Sequence, residues 1–208
     1  IDDSGNMAWN KTYGGLESDK AYAVTATAGG CIAAGDTRSK GEGESDAWII
    51  KVDANGELVW ERTVGGEGFD MPTCISVSNS QGLLVGGFTF SFGNGQRDFW
   101  LFKVDESGNV SWSCTVGRSN YEEAYAALEV AENEYAMAGW TNSIGQGYYD
   151  FYVVKISVEN GEDWTAAYNF VISAFILSAI VIAALVGMFL LIRRYVNQKI
   201  SRQNVNEV

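Results

Sequence analysis

From residue 21 to about 165 the hydrophobic and polar positions alternate in short runs, and no run keeps a helical period. AYAVTAT (21–27) alternates small or apolar residues with polar ones. CIAAGDT (31–37) follows a Gly-Gly turn, and AWIIKVD (47–53) is almost continuously apolar. ELVWERTV (57–64) carries a tryptophan, and Gly and Asn punctuate the gaps between runs. Runs of this length, bounded by turn formers, predict four successive strands. The set then recurs. Trp9, Trp60, Trp112 and Trp164 are separated by 51, 52 and 52 residues, while Lys51, Lys103 and Lys155, and Asp46, Asp98 and Asp150, recur at 52. Three copies follow in line, 1–51, 52–103 and 104–155, and a fourth starts over 156–165.

A near-continuous apolar strand needs cover on both faces. Four-stranded antiparallel sheets stacked around an axis provide it, so a 51–52-residue period predicts an all-β chain of β-propeller blades. Solenoid repeats are usually shorter, and a β-sandwich has no need of internal identity. Three blades do not close a ring, since propellers usually have about four to eight. The chain opens on Ile1 at a repeat boundary. The expectation is therefore a C-terminal fragment whose upstream blades and leader are missing, with an open edge able to pair with another chain.

The pattern changes near the C-terminus. No charged side chain occurs from Trp164 to Ile192, and residues 168–192 read YNFVISAFILSAIVIAALVGMFLLI. As a helix these 25 residues would span roughly 37 Å. Fifteen are Leu, Ile, Val or Phe, favouring insertion by about 5 to 9 kcal/mol before polar corrections. Arg193, Arg194, Lys199 and Arg202 follow at once, which places that end in the cytoplasm. The predicted layout is an extracellular domain (1–165), a single transmembrane helix (166–192) in contact with lipid, and a short basic cytoplasmic tail (193–208). Ala179, Ala183 and Gly187 put small residues at every fourth position, a pattern that permits close helix pairing and self-association.

Charge sharpens the division. Of 26 acidic and 14 basic residues, the tail holds Glu207 and four bases. Residues 1–167 thus carry 25 acids and 10 bases, a net of −15 within a total of −12. That balance repels nucleic acid and suits cations or basic surfaces. The absence of His excludes Ser-His and Cys-His catalysis and His-ligated zinc within this chain. Cys31, Cys74 and Cys114 have unrelated spacings and read as small buried hydrophobes, not as a disulfide framework.

The motif T-V-G-G, then A-G-D-T-R-S, then the Asp-led D-A-W-I-I-K resembles the β-propeller repeats of archaeal and bacterial cell-surface proteins, the SBBP type. V-D-A-N-G-E-L-V-W (52–60) is also similar to the Trp-ended blade repeat of pyrroloquinoline-quinone-type propellers. The likeness covers residues 1–165. It implies a surface-exposed propeller acting in binding or scaffolding. Quinone enzymes of similar fold use a calcium ion, a catalytic Asp and often an adjacent Cys pair. Here the three Cys are not adjacent, and no unrepeated polar set could form such a site, so no catalytic or cofactor-binding residue is assigned.

Several repeated features invite chemistry. Asp53-Ala-Asn55-Gly56-Glu57 and Asp105-Glu106-Ser107-Gly108 have calcium-loop composition but lack the EF-hand ligand spacing, and they read as hairpin turns. Gly41-x-Gly43-x-x-Asp46 and its copies lead into a strand, not a helix, so they are no dinucleotide fingerprint. The Asp there is expected to tie the loop to its own backbone. The loop is nonetheless the first candidate for ligand contact, because Asp36, Arg38 and Lys40 become Phe88, Phe90 and Phe92, then Trp140, Asn142 and Ile144, on a constant frame. Asp36, Arg38, Phe90, Trp140 and Asn142 are the candidate contact residues. Trp9, Trp60, Trp112 and Trp164 are expected to pack between blades, and Trp48, Trp100 and Tyr152 to lie in the core. Asn10-Lys-Thr12 and Asn109-Val-Ser111 are candidate glycosylation sequons. The functional expectation is a membrane-anchored cell-surface binding, adhesion or scaffold module with an unknown extracellular partner. The alternative is a quinoprotein-like oxidoreductase or hydrolase whose active site lies on missing upstream blades.

Overall fold

A computed structural model describes residues 5–158 of the chain. The chain divides into two units, Ile1–Thr165 and Ala166–Val208, and the described residues all belong to the first. The predicted membrane helix, the basic tail and Trp164 lie outside the described residues. Among the described residues no helix is long and apolar enough to cross a membrane.

Among the described residues eleven strands form three antiparallel sheets, each a meander in chain order. The first sheet holds β1 (Asp19–Thr27), β2 (Gly30–Thr37), β3 (Asp46–Asp53) and β4 (Leu58–Val64). The second holds β5 (Asp70–Val77), β6 (Leu83–Thr89), β7 (Asp98–Val104) and β8 (Val110–Val116). The third holds β9 (Glu122–Ala131), β10 (Glu134–Thr141) and β11 (Asp150–Ser157). The first two sheets therefore straddle the boundary between two sequence copies, because the Trp-bearing run that begins a copy closes the sheet of the copy before it.

The sheets stack face to face. Ile32, Ala34, Ala47 and Ile49 of the first pack on Leu83, Val85, Trp100 and Phe102 of the second. From the other side of the second sheet, Leu84, Phe99, Leu101 and Trp112 meet Ala127, Tyr135 and Met137 of the third. β7 is thus covered on both faces, which is why it reads apolar at nearly every position. The third sheet has an uncovered face. Phe151 and Val153 of β11 are 85% and 56% exposed, whereas their repeat equivalents Phe99, Leu101, Ala47 and Ile49 are at 0%.

Two devices repeat. Opposite a bulge on the first strand of each sheet stands a glycine, Gly35, Gly87 or Gly139, with the backbone of the neighbouring strand where a Cβ would be. The bulged residues are Tyr22, Thr73 and Tyr125. The second device is a polar clip. Asp19 accepts hydrogen bonds from Thr37 and Ser39, Asp70 from Thr89 and Ser91, and Glu122 from Thr141. The same carboxylates accept the N–H of Gly15, Gly66 and Arg118. Parallel bridges Ser45↔Phe69 and Arg97↔Tyr121 then stitch one sheet to the next, beside the clip.

Buried charge gives the stack a pH dependence. Burial pushes the Asp46 carboxyl up to about 6, opposed by a Glu42 backbone N–H and aided by the charges of Asp70 and Glu42. The native state then holds a proton that the unfolded chain releases between about pH 4 and pH 6. Stability is fully present below the lower value and lost as pH rises through the upper, by on the order of 3 kcal/mol. Asp19 and Glu129, held below the ordinary carboxylate range by hydrogen bonds that outweigh their burial, act in the opposite sense and lose their contribution on further acidification. The melting temperature is therefore expected to rise from pH 7 to about pH 5. Asp46→Asn should flatten that rise; an unchanged slope in the variant would refute the assignment.

Candidate functional site

The β2–β3 loop (38–45), the β6–β7 loop (90–97), the β10–β11 loop (142–149) and the connectors 65–69 and 117–121 all lie at one end of the sheets. Two of the bulges carry a tyrosine beside residues of this end, Tyr22 and Tyr125, whereas the bulged Thr73 donates to Ala124 O of the next sheet. Tyr22 is brought beside Asp36, and its phenol is pushed up to about 12, by burial first and then by that carboxylate. Tyr125 is brought beside Glu123 and Trp140.

At the centre of this end lies Arg97, the residue just before β7. Its guanidinium stands over four rings, Phe88 at 4.7 Å, Trp140 at 5.1 Å, Tyr121 at 5.2 Å and Phe90 at 5.6 Å. It forms an ion pair with Glu123, whose second oxygen accepts from Trp140 Nε1 at 3.1 Å and from the Tyr125 hydroxyl. A guanidinium face attracts ring quadrupoles, and the carboxylate fixes its edge, so the cluster is held by complementary contacts in two directions. Ring contacts continue outwards. Phe69 lies 6.1 Å from Phe88 and 6.3 Å from Phe90, Phe90 lies 6.5 Å from Tyr121, and Arg38 stands over Phe69 at 5.9 Å. On the third sheet Trp140 meets Tyr149 edge-on at 4.7 Å. Beside them runs an open groove of about 420 Å³ lined by Tyr125, Trp140, Tyr149, Asp150 and Phe151.

The five residues picked from the sequence fall at this end, but not equivalently. Arg38 and Phe90 are exposed. Trp140 is half-buried, its indole N–H held by Glu123. Asp36 lies beneath the face, 1% exposed, and accepts from the Ser45 hydroxyl at 2.9 Å. Asn142 uses its side-chain oxygen to accept the Tyr121 N–H at 2.9 Å. Asp36 thus lies under the face, and Asn142 supports it through the Tyr121 backbone. Arg97, Phe69, Tyr121, Glu123 and Tyr149 were not singled out. Arg97 carried a usable signal, since positions 45, 97 and 149 read Ser, Arg and Tyr just before a constant Asp.

Other candidates resolve into structure. Asp53 and Asp105 cap their own turns, each accepting two backbone N–H groups. Those bonds hold both carboxyls below the ordinary range, through the Glu57 and Asn109 N–H groups first. The Trp60 indole lies across Gly108 of the next sheet's turn, and Trp9 lies likewise across Gly56. Their N–H groups donate to Glu106 O at 3.2 Å and Ala54 O at 3.0 Å. Trp48 and Trp100 are buried, and Tyr152 packs on Phe99 at 5.3 Å. Cys114 is buried in the core between the second and third sheets, while Cys74, half-buried, packs against that core with its thiol pushed up by burial. Asn10 and Asn109 are both exposed. No family model matches the chain, and no curated protein matches it either.

Proposed function

We propose that the chain is a membrane-anchored cell-surface module, a segment of β-propeller whose varied end binds a ligand outside the cell. The observation that carries this reading is the convergence of the divergent repeat positions. The constant residues of the three copies build clips, turns and core, while positions that change from copy to copy gather into one aromatic and charged face around Arg97. A regular scaffold with variation confined to one end is the layout of a recognition surface. Three stacked meander sheets support propeller geometry. The anchor rests on the apolar run 168–192 and its basic flank, and the exposed sequons at Asn10 and Asn109 suit an extracellular setting.

Exposed rings beside charged and hydrogen-bonding groups favour cell-envelope polysaccharide, whose sugar rings offer apolar faces and hydroxyls. Phe90 and Tyr149 are 43% and 67% exposed. The full chain, reconstituted in lipid nanodiscs, should be retained by immobilised cell-wall polysaccharide. Phe90→Ser with Tyr149→Ser should weaken retention by about tenfold or more, at roughly 1 kcal/mol for each lost stacking contact. Equal retention by the double variant would remove the face from the reading. Protease added to intact cells should also strip the 1–165 segment while leaving the tail protected.

A further inference from the structure

Two sheet junctions bring a pair of buried carboxylates together across a glycine, Asp46 with Asp70 at Gly65 and Asp98 with the clip residue Glu122 at Gly117, and the second pair has an oxygen without a donor. Asp98 opens β7 and Glu122 opens β9, on adjacent sheets, and each is 1% exposed. Gly117 stands between them. A Cβ at Gly117 would collide with both Asp98 Oδ1 and Glu122 Oε2, the latter at 2.6 Å, so the two oxygens converge on one point. Three of the four carboxylate oxygens have donors. Glu122 Oε1 accepts from Thr141 Oγ1 at 2.7 Å, Glu122 Oε2 from the Arg118 N–H at 3.0 Å, and Asp98 Oδ2 from the Gly95 N–H at 2.9 Å. Asp98 Oδ1, aimed at the shared point, has no hydrogen-bond partner and no exposure to solvent.

We propose that this junction binds a calcium ion between Asp98 and Glu122. Two ionised carboxylates in water-excluded contact repel each other unless a counter-charge lies between them, and no Lys or Arg of the described residues pairs with either. The ligands are oxygen only, which selects a hard cation over zinc or copper. Calcium fits better than magnesium, because it accepts irregular all-protein coordination whereas magnesium keeps its waters. Among the described residues no group of three or more metal-ligating side chains forms, so the further ligands come from main-chain carbonyls. The connector 117–121 brings one such carbonyl to this junction, Arg118 O, which lies against Gly95. The ion would clamp the second sheet to the third, independently of what the aromatic face binds.

The test compares melting of the detergent-solubilised full chain in EGTA and in millimolar calcium, with terbium luminescence excited through tryptophan as the direct probe. Calcium should raise the melting temperature by several degrees and displace bound terbium. Asp98→Asn keeps the shape and removes one facing charge, so in EGTA it should melt above the unsubstituted chain, which also shows that it folds. It should show no calcium response and no sensitised terbium emission. Asp53→Asn, in a surface turn far along the sheet, should keep both. Melting of the unsubstituted chain that is the same with and without calcium, or a calcium response undiminished in Asp98→Asn, would overturn the proposal. The first result would leave a shared proton as what holds the pair together.

Discussion

Gly87→Ala is expected to cost about 3 to 5 kcal/mol, enough to unfold the second sheet in a chain of ordinary stability. Gly87 pairs with Pro72 across the bulge, and an added Cβ would meet Met71 O and lie 2.8 Å from Pro72 Cα. These are backbone atoms of a paired strand, so no rotamer change relieves the clash. β6 is buried at every position, so it cannot shift outwards without opening the cores on both sides. Urea unfolding of the detergent-solubilised chain, followed by tryptophan fluorescence, measures the loss. Gly29→Ala is the comparison. Its φ is +79° but nothing stands within 4 Å of the added carbon, so it should cost only about 1 kcal/mol. A Gly87→Ala midpoint as close to the parent's as that of Gly29→Ala would show that the bulge yields.

The second large effect is at the candidate face. Arg97→Ala should cost about 3 kcal/mol, because it empties a site bounded by four rings and leaves Glu123 largely buried without its cation. The side chains of Arg97 and Glu123 are 18% and 13% exposed, so solvent screens the pair little. The two contributions separate in a double-mutant cycle. Glu123→Gln should lose the ion pair while the rings still hold the guanidinium, and Arg97→Ala should then cost less in the Glu123→Gln background by about 1 to 2 kcal/mol. Additive costs would mean that the rings alone hold Arg97.

The strands and their order were legible because two periods, one of two residues and one of 52, reinforce each other. Trp48, Trp100 and the Asp-led strands fell where the pattern put them, since burial on both faces leaves few polar alternatives. The direction of divergence was also readable. What was not readable is which divergent residues face outwards. Asp36 and Phe88 share a repeat position two residues before the exposed Arg38 and Phe90, and both are buried, Asp36 under the Ser45 hydroxyl and Phe88 under the Arg97 guanidinium. That outcome depends on partners 9 residues away in each case, across a loop whose path no period encodes. The role of Gly117 was likewise hidden. It looks like a turn former in sequence, yet it keeps clear the space where two carboxylates from different sheets meet.

The bulge and the clip together separate what must stay from what can change. Every copy fastens its own end with Asp or Glu and Thr, and the exposed side chains at the adjoining positions 38 and 90 sit beside that fastening without contributing to it. Such positions behave as exchangeable tiles. Duplication of a copy supplies a ready mount, and substitution at the tile alters the exposed chemistry without renegotiating the fold. A face assembled in this way can change its ligand one tile at a time.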